Sequence, residues 1–260
     1  MKHNKLLRWI LISSLSVVFL FSTVIVMRYV VQSHTEQEAF EKLASIPDKD
    51  ADERQSPSLE TNESEEEYVS PYLPLKEQNA DFFGWICIEG TKINYSVMHT
   101  PDAPEYYLHR AFDKRSSQSG VPFLDATCSA ECGNYLIYGH NMSNGTMFAE
   151  LLSYADTEYW QEHPSIQFDT LDGTGSYSII AAFYSEVYPE EGAGFRYYKY
   201  TDLRDMEDFI AYIDQVKAAA LYDTGITAEY GDQLLTLSTC SYHTEDGRFV
   251  VVAKEKSSRL

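Results

Sequence analysis

The stretch LLTLSTCSYHTEDGRFVVVAKE, residues 234–255, reads as two strands and a turn. In its first half Leu235, Leu237 and Thr239 fall on one face, and Leu234, Thr236, Ser238 and Cys240 on the other, following the two-residue period of a strand. The second half, RFVVVAKE, is dense in β-branched residues that favour a pleated, half-buried surface. Between them, SYHTEDG ends in Asp246-Gly247, a pair suited to tight turns. Antiparallel neighbours joined in this way set the end of the first strand beside the start of the second. Cys240 then comes within reach of Arg248.

The same pattern extends upstream. FFGWICIEGTKINYSVM (82–98) reads as two short strands around Glu89-Gly90. GVPFLDA (120–126), NYLIYGH (134–140) and SIQFDTLDGTGSYSIIAAFYSEVY (165–188) supply further strands, the last folding back at Asp172-Gly173. Two segments carry helical spacing instead. Residues 146–163 place Phe148, Leu151, Leu152 and Tyr159 on one side. Residues 201–222 form a stronger candidate, with Thr201 or Asp202 as cap and a stripe of Leu203, Met206, Phe209, Ile210, Ile213, Val216 and Lys217. That helix is inserted directly before the strand ending in Cys240. Many short strands need their edges hidden, so the expected fold is mostly β, a closed or nearly closed barrel with inserted helices.

The first thirty residues are a different object. WILISSLSVVFLFSTVIVM, residues 9–27, is uncharged and flanked by Lys2, Lys5 and Arg8 before it and Arg28 after it. At about 1.5 Å per residue it spans roughly 28 Å, close to the ~30 Å of a bilayer's hydrocarbon core. A signal peptide would have a shorter apolar region ending in small residues, and VIVMRYVVQSH offers no such cleavage pattern. An uncleaved anchor is therefore expected, with residues 1–8 as a cytoplasmic basic tail, since positive flanks stay inside. Residues 28–70 then form an external helix leading into an acidic spacer, and everything beyond lies outside the cell.

The chain has 40 acidic and 20 basic side chains and a formal charge of −20. Four of those basic residues, and none of the acids, fall in the first 31 positions, so the remainder carries −24. Such an excess speaks against nucleic acid as a partner and against a domain lying flat on anionic lipid. There are four cysteines, too few to staple a chain of this length. Cys128 and Cys132 sit close enough for a loop disulfide or remain two thiols. A lone C-x-x-x-C is a weak zinc signal, and no metal or other cofactor is expected. Cys87, in an apolar run, reads as a small buried hydrophobe.

Cys240 differs, because it ends its strand where a side chain meets solvent and an arginine follows it across the turn. A guanidinium is always charged and can hold a carbonyl or a developing oxyanion beside an attacking sulfur. A cysteine nucleophile also needs an acid/base partner. His243 is near in sequence but lies in the loop. His140 ends a strand, as Cys240 does. His99, His109 and His163 have no local context that suggests chemistry. On local grounds the choice between His140 and His243 stays open.

TLSTC followed by DGRFVVVAKE, with NYLIYGHNMSNGTMF about a hundred residues upstream, resembles the sortase family of membrane-anchored cysteine transpeptidases. The resemblance runs from about Asn79 to Lys254, and the anchor and the long helix before the cysteine strand are similar to class B. It implies a sortase-like closed barrel over a catalytic domain at 71–260. It maps the catalytic cysteine onto Cys240, the histidine onto His140 and the arginine onto Arg248, with Ser238 and Thr239 lining the substrate groove. The implied reaction cleaves a C-terminal sorting motif of secreted proteins through a thioester. The acyl group then passes to an amino group of a lipid II-like peptidoglycan precursor. Two other readings share these residues: a membrane-tethered peptidase with water as acceptor, and a pilin-polymerising enzyme using a lysine amine. A third is a surface β-domain in which Cys240 is merely structural.

Overall fold

The hairpin at 234–255 forms as expected and lies at the centre of a closed eight-stranded barrel. The computed structural model describes residues 2–46, 68–189 and 191–256. Its strands are β1 (Phe82–Cys87), β2 (Asn94–Met98), β3 (Phe123–Leu124), β4 (Asn134–Tyr138), β5 (Ser165–Thr170), β6 (Ser176–Glu186), β7 (Leu234–Cys240) and β8 (Gly247–Glu255). They run in the order β1-β2-β3-β4-β7-β8-β6-β5, and β5 closes back on β1. Closure leaves no free sheet edge, which answers the edge problem posed by so many short strands. The pairs β2–β3 and β4–β7 are parallel. A parallel pair needs a long crossover, and the chain from 139 to 233 supplies it between β4 and β7.

The alternation read in β7 sorts its side chains as expected. Leu235 and Leu237 are fully buried, as is Phe249 of β8. On the opposite face Thr236 and Ser238 are polar yet equally buried, because the connection between β6 and β7 covers them. Thr236 meets the hydroxyl of Tyr212 at 2.8 Å, and Ser238 that of Tyr197 at 2.7 Å. Each buried hydroxyl therefore has a partner, which offsets the cost of removing it from water.

Of the two predicted helices, the one at 201–222 forms with different bounds and the one at 146–163 is broken in two. The long one, α4, is Met206–Ala219 in a chain order that also includes α1 (Lys2–Ala44), α2 (Leu73–Gln78) and α3 (Thr157–Glu162). Its cap is Asp205, whose carboxylate accepts from the amides of Glu207 and Asp208. Asp202 is instead paired with Arg204, and the Thr201 hydroxyl is shared with Thr127. The buried stripe is Phe209, Tyr212, Ile213 and Val216, whereas Met206 and Ile210 are exposed. The region 146–163 is not one helix. A 3-10 stretch over Ala149–Ala155 stops at Asp156, which adopts an extended backbone and caps α3 through the amide of Glu158. An aspartate at that position competes with helix continuation and favours a new start.

α1 is one continuous helix, long and apolar enough to cross a bilayer. Within it the Thr23 hydroxyl bonds back to the Phe19 carbonyl at 2.8 Å, the local satisfaction that makes a hydroxyl tolerable in an apolar run. Residues 1–42 form a compact unit separate from the barrel unit. Most of the acidic spacer expected at 48–70 lies outside the described residues.

Cys128 and Cys132 are two free thiols, both buried, and both point at the carbonyl of Asn134, at 3.4 and 3.3 Å. Asn134 starts β4. Its side chain donates to the Tyr200 carbonyl at 2.8 Å and accepts from Thr236 at 2.8 Å. This knot fixes the N-terminal end of β4, the end away from His140. Cys87 is only half-buried on β1.

Candidate active site

Register brings the candidate residues together. In the antiparallel pair β7–β8, Cys240 and Arg248 are direct partners. Side chains of such a pair project from the same face, with Cβ atoms about 5 Å apart. In the parallel pair β4–β7, Tyr138 is matched with Ser238. The ladder continues past the strand end, with the Gly139 amide donating to the Ser238 carbonyl at 3.1 Å and the Thr239 hydroxyl to the Gly139 carbonyl at 2.8 Å. His140 and Cys240 each lie two residues beyond the matched pair, so they stand at the same height, His140 just past the end of β4 and Cys240 at the end of β7. Asn141 ties the two ends by donating from Nδ2 to the Cys240 carbonyl at 3.0 Å. His140 just past β4, Cys240 at the end of β7 and Arg248 at the start of β8 thus gather at one barrel rim.

The imidazole of His140 has a defined orientation. Nε2 lies 2.8 Å from the Leu108 carbonyl. A carbonyl only accepts, so Nε2 carries the proton and Nδ1 is the ring position left for exchange. Arg248 is half-buried, and its Nη1 donates to the carbonyls of Asp246 and Gly247 at 3.2 and 3.0 Å. Below this rim, Tyr197 is buried against Ser238. Burial is the main cause that pushes its phenol up to about 12, partly offset by the Ser238 hydrogen bond and the nearby Arg248 charge. It therefore stays neutral and available as a donor at physiological pH.

Ser238 and Thr239 are 1% and 2% exposed, with both hydroxyls engaged inside the protein. Neither hydroxyl faces solvent; they brace the neighbouring strand and the covering connection. His243 is on the wrong face. Tyr184, Phe249 and Thr239 form the register row next to that of Cys240, with side chains on the opposite side of the sheet. The His243 ring packs on Tyr184 at 4.8 Å, and its Nδ1 meets the Ser241 hydroxyl at 3.0 Å.

The chain from 86 to 256 matches the Sortase domain family model. The chain belongs to the sortase family. Sortase B of Listeria monocytogenes is 33% identical over 185 residues, covering 69% of this chain and 72% of that protein. Sortase B of Staphylococcus aureus is 28% identical over 194 residues, covering 73% and 76%. A solved S. aureus sortase B–substrate complex superimposes with a TM-score of 0.73 at 25% identity, covering 88% of this chain and all of that one. The protein is thus a class B sortase, a cysteine transpeptidase with a closed barrel.

Three contributors to this sortase's rim were not legible in the sequence. The Leu108 carbonyl is a backbone group on a distant 3-10 turn, Tyr106–His109. Tyr197 lies in the connection between β6 and β7, where nothing local marks it. His109, which has no telling neighbours in the chain, stacks on His140 with centroids 5.6 Å apart and planes at 26°.

Proposed function

We propose that Cys240 is the nucleophile, His140 the acid/base and Arg248 the oxyanion-binding cation of an acyl transfer on exported proteins. The register that gathers His140, Cys240 and Arg248 at one rim carries this reading. Cys240 Sγ attacks the backbone carbonyl of a C-terminal sorting motif. The Arg248 guanidinium, held at the strand start through its own loop carbonyls, stabilises the charge that develops on the carbonyl oxygen. Nδ1 of His140 takes up the thiol proton as Sγ attacks and gives it to the departing amine, and a thioester remains on Cys240. The same nitrogen then takes a proton from the incoming amine of a lipid II-like peptidoglycan precursor and returns it to the Cys240 sulfur as the new amide bond forms and the thioester breaks. Ser238, on the Cys240 face, supports the floor of the groove through Tyr197, and Thr239 braces β7 against Gly139 from the other face.

Residues 9–27 would cross the membrane with residues 1–8 in the cytoplasm. Residues 28–70 would extend outside, where the domain at 71–260 meets secreted substrates. Lys2, Lys5 and Arg8 before the span, against Arg28 alone directly after it, support that orientation. The test is mass spectrometry of the full chain incubated with peptides copied from the C-terminal motifs of exported proteins of the same genome. A covalent acyl adduct on Cys240, lost in Cys240→Ala, is expected. Added amines should divert the adduct to aminolysis. An adduct that only ever hydrolyses would make the protein a peptidase, and no adduct at all would remove the nucleophile assignment.

A further inference from the structure

The 3-10 turn Tyr106–His109 touches the His140 ring twice, in two directions. The Leu108 carbonyl accepts from Nε2 in the plane of the ring, and the next side chain, His109, lies against its face. The hydrogen bond limits rotation within the plane, and the stack limits tilt out of it. Together they fix where Nδ1 points.

The turn is built to be rigid. Tyr107 is fully buried; its hydroxyl donates to Asp81 and accepts from Asn79, each at 2.8 Å. Its carbonyl accepts from the Val121 amide at 3.1 Å, while the His109 carbonyl accepts from the Ser117 amide at 3.0 Å. Gly120 passes so close, at φ +60°, that a Cβ there would lie 2.5 Å from the Leu108 oxygen. Only glycine allows both that φ and that approach. Arg110, which follows the turn, lies over the Tyr106 ring at 4.7 Å. His109 itself is exposed, so it is not held by a core, and its ring gains contact from the one imidazole it stacks on.

We infer that His109 is a positioning residue for the His140 acid/base, acting through its ring face. The inference rests on the assignment of His140 in the proposed mechanism. The His109 ring against one face of His140 limits the tilt of that imidazole and with it the direction in which Nδ1 points. Small errors in the aim of a proton donor cost rate rather than binding. Losing the stack should therefore lower kcat and leave KM nearly unchanged.

The experiment compares steady-state transpeptidation by the wild-type chain, His109→Ala, His109→Phe and His109→Lys, with thermal unfolding as a check on folding. His109→Ala should reduce kcat about tenfold with KM within twofold. His109→Phe restores the stack without an ionisable group and should return kcat to within about twofold of wild type. His109→Lys, which places a cation beside the ring, should be at least as slow as the alanine variant. Wild-type kcat in His109→Ala would overturn the inference, as would a change confined to KM. Failure of phenylalanine to rescue would also overturn it, since the imidazole would then be acting as a proton carrier. His109→Ala must still form the Cys240 adduct. If the wild-type chain forms none, the proposed mechanism has failed, and not this positioning role alone.

Discussion

Cys240 and Arg248 are direct cross-strand partners, eight residues apart in the chain and side by side on one face of β7–β8. The intervening loop sets the two residues opposite each other, and the guanidinium donates to the loop carbonyls of Asp246 and Gly247. Lysine at 248 would keep the charge but lose the planar fork that can grip a carbonyl oxygen and its own loop carbonyls together. Arg248→Lys is expected to reduce kcat/KM about 10–100-fold, and Arg248→Ala about 100–1000-fold, the usual loss for a missing oxyanion donor. Steady-state kinetics with a motif peptide and an amine acceptor checks both. Wild-type rates in Arg248→Lys would mean that charge alone suffices.

The two histidines that sequence proximity leaves in competition should separate cleanly. His140→Ala is expected to lower kcat at least about 100-fold, the contribution typical of a positioned general acid. His243 packs on Tyr184 on the opposite face from Cys240, so His243→Ala should stay within about twofold of wild type. The reverse result would show that the loop histidine swings round to the sulfur in solution.

Thiol labelling distinguishes an enzyme from a surface domain with a structural cysteine. Cys240 is partly exposed at the rim, while Cys128 and Cys132 are 4% and 3% exposed. Burial and the neighbouring Asp169 push the half-buried Cys87 thiol up, which lowers its thiolate fraction. A hydrogen bond from Cys128 pulls the Cys132 thiol down, yet access limits it. A brief native pulse of iodoacetamide followed by peptide mapping should therefore mark Cys240 first. Labelling that appears at Cys240 only after denaturation would favour the structural reading.

Much of this architecture was written in local pattern. The alternation in 234–240, the turn at Asp246-Gly247 and the β-branched run after it specify a hairpin whose register follows from its own residues. The helix at Met206–Ala219 was legible from its stripe, but its start was not. Thr201, Asp202 and Asp205 are all chemically able to cap, and tertiary partners at Thr127 and Arg204 decide among them. The break at Asp156 was hidden because apolar spacing continues across it. The resemblance to sortases pointed to His140, and the parallel register of β4 with β7 brings that position to the Cys240 end of β7. His109 and Leu108 belong to a turn more than a hundred residues from Cys240, and only closure of the barrel brings that turn to the rim.

The Tyr197–Ser238 contact, 2.7 Å and buried, should behave as a coupled pair. Tyr197→Phe or Ser238→Ala alone strands the other hydroxyl away from water, at a cost of about 1–3 kcal/mol. The double variant removes both polar groups and should cost less than the sum of the singles. A denaturant-melt double-mutant cycle measures the coupling. Strict additivity would mean that water replaces each lost partner.

Asp169 offers a pH test whose sign is opposite to the usual carboxylate. Burial raises its pKa, despite hydrogen bonds from the Tyr72 hydroxyl at 3.0 Å and the Gly175 amide at 3.2 Å. A folded value above the unfolded one means that the native state binds more protons in that window. Its stabilising contribution is complete below the unfolded pKa and is lost as pH rises through the folded value. At pH 7 the ionised carboxylate is thus a liability to the fold. Asp169→Asn keeps an acceptor for one of the two donors and has no charge to desolvate. It should melt at a higher temperature than wild type at pH 7, and the difference should shrink as pH falls below about 4, where the wild-type carboxyl is protonated in both states. Equal melting temperatures at pH 7, or a gap that widens in acid, would show that the two hydrogen bonds outweigh burial at this site.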